Sequence, residues 1–88
     1  MSSNLTASDK AKAEALKQAG NQQMTTKSFD AAIESYTKAI DVDGSNPVYY
    51  SNRAAAYSSQ GDQHNAVADA EKALELDPGF TKAYHRLG

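Results

Sequence analysis

A chain of 88 residues with a formal net charge of −2 and no cysteine makes at most one small domain, with neither a disulfide nor a thiolate zinc site to staple it. The near-neutral charge argues against a nucleic-acid surface, which needs a basic face. No apolar run approaches a membrane span, and the start Met1-Ser2-Ser3-Asn4-Leu5-Thr6 has neither the basic head nor the apolar core of a signal peptide. Absence of cysteine fits a reducing, cytoplasmic setting. Abundant alanine with few Pro and Gly favours an all-α fold.

Residues 1–7 read as a flexible leader. Ser8 is the expected N-cap of a first helix, and Asp9 complements the positive end of its dipole. The helix runs to about Thr26, with an apolar stripe of Ala13, Leu16, Ala19, Gly20 and Met24. Lys10 and Lys12 are expected in solvent. Gly20 in mid-helix costs about 1 kcal/mol relative to Ala, which a close-crossing neighbour would explain. A second helix is predicted from about Phe29 to Val42, with Ala32, Ile33, Tyr36, Ala39 and Ile40 inward. It stops in Asp41-Val42-Asp43-Gly44-Ser45, where Gly44 is free to take positive φ.

The third helix carries the clearest start signal. Asn46 caps and Pro47 occupies the first helical position, where its missing N–H costs nothing. From Pro47 to about Ser59, Tyr50, Ala54 and Tyr57 make one apolar face, and Ala54-Ala55-Ala56 keeps the helix thin. Gln60-Gly61-Asp62 is a turn. A fourth helix follows from about Gln63 to Leu76, with Ala66, Val67, Ala70, Ala73 and Leu74 inward, and Asp77-Pro78-Gly79 breaks it. A fifth begins near Thr81, with Ala83, Tyr84 and Leu87 on its inner side.

The halves superpose at a period of about 34 residues. Ala32 falls on Ala66, Ala39 on Ala73, Ile40 on Leu74 and Asp43 on Asp77; Gly20 falls on Ala54 and Gly88, and Leu16 on Tyr50 and Tyr84. Helix, short turn, helix and turn at this period, with small residues where helices must touch, resemble the tetratricopeptide repeat. The resemblance implies a superhelix of stacked helix pairs. Repeat 1 would span 13–46, repeat 2 47–80, and 81–88 would be the first helix of a third, so that the repeat domain covers 8–88. Gln23 departs from the pattern, standing where an aromatic is usual and where Tyr57 stands one repeat later; Met24 is placed to compensate. Gly44 stands where Pro78 does. A third repeat without its second helix would leave Tyr84, Leu87 and the outer face of the fourth helix open to self-association.

In the family the first helix of each pair lines a concave groove. Lys17 and Asn21, four apart, share one helix face; so do Lys82 and Arg86; Asn52 lies on the helix between them. On first helices and off the packing stripe, these five would converge on the groove and offer donors to a carboxylate. The set is similar to the dicarboxylate clamp of chaperone-binding tetratricopeptide domains. That resemblance assigns peptide-carboxylate binding to Lys17, Asn21, Asn52, Lys82 and Arg86. It implies as partners the C-terminal Glu-Glu-Val-Asp tails of the seventy- and ninety-kilodalton heat-shock chaperones. The wording Asn46-Pro47-Val48-Tyr49-Tyr50-Ser51-Asn52-Arg53 resembles most the glutamine-rich members of that group, co-chaperones in tail-anchored protein targeting.

Asn52 also reads as a buried polar residue tying helices together, and Arg53 as structural, packing or pairing between repeats. Tyr49 reads as core or groove. Ser51, Ser58 and Ser59 have no His–Asp constellation near them, and His64 and His85 stand apart from each other. No catalytic residue, cofactor or metal is expected. His85 beside Arg86 could add charge to the groove below about pH 6.5. The competing readings are a structural scaffold, or self-associating repeat, with no carboxylate-specific ligand, and the adaptor region of a larger phosphatase or prolyl isomerase.

Overall fold

The structure, a computed structural model, describes residues 5–80. It has four helices: α1 (Ala7–Thr25), α2 (Phe29–Val42), α3 (Pro47–Ser59) and α4 (Gln63–Leu76). Each packs on the next along the chain, and α3 also touches α1. Lys82, Ala83, Tyr84, His85, Arg86 and Leu87 lie outside the described residues. No described helix is long and apolar enough to cross a membrane.

The caps explain the boundaries. Helix α1 is capped by Thr6 rather than by the expected Ser8. Asp9 N donates to Thr6 Oγ1 (3.0 Å) and Thr6 N to Asp9 Oδ2 (3.2 Å), a reciprocal box. Asp9 therefore satisfies a backbone N–H in addition to favouring the dipole. Asn46 Oδ1 accepts from Val48 N at 2.9 Å, with Pro47 opening α3. Asp62 accepts from Asn65 N at 3.2 Å to open α4.

The internal repeat extends to the backbone. Positive φ occurs at Lys27 (62°) and, at the matching place one repeat later, at Gly61 (85°). Ser28 (φ −90°, ψ 71°) and Asp62 (φ −90°, ψ 76°) then lead into α2 and α4. Asp43 and Asp77 end those helices with similar extended angles. Gly44 does not take the expected positive φ. The turn is made instead by the Asp43 carboxylate, which accepts from Ser45 N (3.3 Å) and Ser45 Oγ (2.8 Å).

The core is thin and strung along the stack. Ala13, Ala39 and Tyr49 form one buried group, flanked by Leu16, Ile40, Val42 and Val48. Ala32, Tyr36 and Ala56 form a second, flanked by Met24 and Ile33. Ala70 and Ala73 form a third against Tyr50, Leu74 and Phe80. Alanines on the facing sides let the helices approach, and the tyrosines fill what remains. Helix α3 is buried on more than its Tyr50–Ala54–Tyr57 stripe, because it has neighbours on two sides; Tyr49 and Ala56 are buried as well. Tyr49 is thus core, not groove.

Two buried polar links tie the stack together. Arg53 reaches from α3 to Asp69 on α4 through Nε–Oδ2 (2.7 Å) and Nη2–Oδ1 (2.8 Å), and its Nη1 donates to Thr37 Oγ1 on α2 (3.0 Å). Its guanidinium lies 5.7 and 5.8 Å from the ring centres of Tyr50 and Tyr57. In the first repeat the matching buried position is Ser35. There Gln23 replaces the aromatic. Its amide satisfies its surroundings with Nε2 turned inward, 2.7 Å from Ser35 Oγ, 3.0 Å from Ala31 O and 3.3 Å from Ala19 O. Met24 supplies the apolar bulk beside Tyr36 and Ala32. The departure from the repeat pattern is thus a neutral polar link in place of a charged one.

Candidate functional site

Helical spacing puts Glu14, Lys17 and Asn21 on one face of α1. Asn52 approaches that face from α3. Asn52 Nδ2 lies 3.5 Å from Asn21 Oδ1, so the two amides meet where the first helices of the two repeats come together. A second donor reaches the same oxygen from the core: Tyr36 OH of α2 donates to Asn21 Oδ1 at 2.5 Å. Burial pushes the Tyr36 phenol up, so it is a neutral hydroxyl donor at physiological pH. With Oδ1 engaged inward, the Asn21 nitrogen is turned outward.

Gly20, one residue before, makes the Tyr36 approach possible. A Cβ there would sit 2.5 Å from Tyr36 Cε1 and 2.8 Å from Cζ. The expected close crossing at Gly20 is therefore the passage of a tyrosine ring.

Lys17 Nζ is held by Glu14 Oε1 at 2.9 Å. The other Glu14 oxygen accepts from Tyr49 OH, also at 2.9 Å. Lys17 and then Tyr49 hold the Glu14 carboxyl below its ordinary value. The lysine is thereby steered by a carboxylate that the buried Tyr49 anchors. One Nζ donor is spent on Glu14, and two remain.

Of the five expected clamp residues, the described structure brings Asn21 and Asn52 together and puts Lys17 one turn away on the same face. Lys82 and Arg86 lie outside the described residues. Arg53, next to Asn52, is consumed by Asp69. The contact of Asn52 with Asn21 joins α3 to α1 through an exposed contact, not as a tie buried between helices. Glu14 and Tyr36 escaped the sequence reading as parts of the site. Glu14 was visible three residues before Lys17, whereas nothing in the Tyr36 periodicity distinguishes a buried phenol that donates to an exposed amide from any other core ring.

The family model described as "Tetratricopeptide repeat" matches residues 47–80, and one described as "TPR repeat" matches residues 20–61. The chain is 34% identical to a solved structure of the second tetratricopeptide domain of Spaghetti bound to the HSP90 peptide SRMEEVD. The TM-score is 0.86, and the match covers 90% of this chain and 73% of that one. The chain belongs to the tetratricopeptide-repeat family. It is also 54% identical to the small glutamine-rich tetratricopeptide repeat-containing protein 2 of Mycosarcoma maydis. That match covers 91% of this chain and 23% of the relative, so this tetratricopeptide chain spans about a quarter of its relative's length. A third match is the TPR2B domain of yeast Sti1 in complex with an Hsp70 peptide, at 37% identity and a TM-score of 0.84. It covers 86% of this chain and 61% of that one.

The Glu14–Tyr49 link within this tetratricopeptide pair has a pH signature. Burial, and then the Glu14 hydrogen bond, push the Tyr49 phenol up to about 12. A tyrosine in the unfolded chain ionises near 10. The folded pKa is the higher, so this contribution is whole below about pH 10 and is lost as pH rises towards about 12. Stability is expected to fall there by up to about 1.4 kcal/mol per pH unit, and the fall should be shallower in Tyr49→Phe. Urea midpoints measured across that range check this; an equally steep fall in the variant would refute it.

Proposed function

We propose that this chain is a peptide-binding module that takes up the C-terminal tails of heat-shock chaperones of the seventy- and ninety-kilodalton classes. Lys17, Asn21 and Asn52 hold the main-chain carboxylate of the last residue, and Lys82 and Arg86 hold side-chain carboxylates beside it. The observation that carries the reading is the amide pair at the meeting of α1 and α3. Asn21 and Asn52 stand in contact across the two repeats, with Lys17 on the same α1 face. Two amides and an ammonium offer several donors within one short stretch of surface. The tetratricopeptide relatives that hold HSP90 and Hsp70 peptides support the choice of guest.

The work is binding, not catalysis. Within the repeat domain, residues 8–88, the unit of 13–46 supplies Lys17 and Asn21, the unit of 47–80 supplies Asn52, and 81–88 supplies the other two. The protein acts as a cytoplasmic co-chaperone, with tail-anchored protein targeting as its setting. Charge-assisted hydrogen bonds contribute about 1.5–3 kcal/mol each. Ordering a disordered tail consumes part of that, leaving affinity on the order of micromolar. Salt weakens it.

Calorimetric titration with a peptide ending Met-Glu-Glu-Val-Asp, as free acid and as C-terminal amide, tests this. The free acid alone is expected to bind, with a loss of about tenfold or more in Asn52→Ala. Equal binding of acid and amide would overturn the proposal in favour of a scaffold without carboxylate specificity.

A further inference from the structure

We propose that Tyr36 is a positioning residue for carboxylate recognition: its hydroxyl, delivered through the gap at Gly20, holds the Asn21 amide with its nitrogen facing the guest. The inference rests on the carboxylate reading above and goes beyond it, since Tyr36 is a core residue that need not touch the ligand.

A side-chain amide has two faces of opposite character. A solvated asparagine can present oxygen or nitrogen with little preference. An oxygen turned toward a carboxylate repels it, so an unrestrained Asn21 must give up half of its orientations when the guest arrives. In the structure two donors converge on Asn21 Oδ1, Tyr36 OH at 2.5 Å and Asn52 Nδ2 at 3.5 Å. The shorter bond comes from the more rigid donor. The Tyr36 side chain is 1% exposed and packed among Ala32, Ala56, Met24 and Ile33. It cannot follow Asn21 outward, so Asn21 is held to it. Its position in the second repeat is occupied by Ala70, which is also buried. The second repeat therefore packs without a phenol there. A large ring ending in a hydroxyl serves the first repeat, whose first helix carries Asn21; the matching position of the second repeat is Ala55, which has no amide to hold.

Gly20 completes the device. Its missing Cβ is the space through which the ring edge passes, since a methyl group there would meet Cε1, Cδ1 and Cζ at 2.5–2.8 Å. Gly20 and Asn21 are neighbours in the chain. One admits the phenol and the other receives it.

The test is a double-mutant cycle on the 88-residue chain, titrated with the free-acid peptide ending Met-Glu-Glu-Val-Asp. Tyr36→Phe keeps the ring packing and removes only the hydroxyl. It is expected to weaken binding about twofold, the factor that choosing one of two amide orientations on binding costs. In an Asn21→Ala background the same change is expected to have no further effect, because the phenol acts only through that amide. Side-chain amide NMR of the unliganded chain gives a second readout, in which Tyr36→Phe moves the Asn21 signals toward those of a solvated asparagine. Wild-type affinity in Tyr36→Phe, or the same loss with and without Asn21, would overturn the positioning role while leaving the clamp intact. Undiminished binding in Asn21→Ala alone would instead bring down the carboxylate reading, and this inference with it.

Discussion

Arg53→Ala is expected to destabilise the chain by about 3–5 kcal/mol, a large fraction of what a domain of this size has to lose. The substitution strips the partner from Asp69, whose side chain is 9% exposed, and leaves a carboxylate in the core. It also removes the donor to Thr37 and the cation between the Tyr50 and Tyr57 rings. Arg53 touches α2, α3 and α4 at once, so its loss loosens one repeat from the other as well as the second helix pair. Replacing both partners by apolar residues of similar size, Arg53→Met with Asp69→Leu, is expected to cost far less, because no buried charge is then left unpaired. Urea unfolding of the two variants separates these cases. A cost below about 1 kcal/mol for Arg53→Ala would mean that the link behaves as a surface ion pair.

Gly20→Val is expected to cost about 3 kcal/mol through overpacking. Helix propensity does not oppose the change, since valine is a somewhat better helix former than glycine. The penalty comes from the Tyr36 ring, 2.5 Å from where the new Cβ must go, with no room among Ala32, Ala56 and Met24 to retreat. Tyr36→Ala in the same chain should recover part of the loss, so that the two changes together cost less than their sum. Thermal unfolding of the single and double variants measures this. Strict additivity would place the strain elsewhere.

The sequence made the helices legible where chemistry marks their ends. Asn46-Pro47, Gly61-Asp62 and Asp77-Pro78 delimit α3 and α4, whose bounds were anticipated to the residue. Where several capping residues crowd together, as at Thr6, Ser8 and Asp9, the reciprocal Thr6–Asp9 pairing decides, and residue type alone does not choose among them. Gly44 misled in a similar way. Glycine permits positive φ without requiring it, and Lys27 takes that conformation with a side chain attached. The amide pair of Asn21 and Asn52 was legible through the repeat, because both stand on first helices and off the packing stripe, although they are not equivalent positions: Asn21 matches Ala55 one repeat later. Arg53 was read as structural, but Asp69 was not seen as its partner. The Gln23–Ser35, Tyr36–Asn21 and Tyr49–Glu14 contacts were not foreseen either. They join different helices through side-chain reach and local geometry, which helical periodicity does not encode.

The most direct measurement is an NMR titration following the side-chain amide signals of Asn21 and Asn52 in the 88-residue chain. The ligand is the peptide ending Met-Glu-Glu-Val-Asp, added once as the free acid and once as the amide. Carboxylate recognition at the meeting of α1 and α3 predicts that both signals move with the free acid and stay in place with the amide. Binding of the free acid that leaves both amides unmoved, or equal shifts with the two peptides, would contradict it.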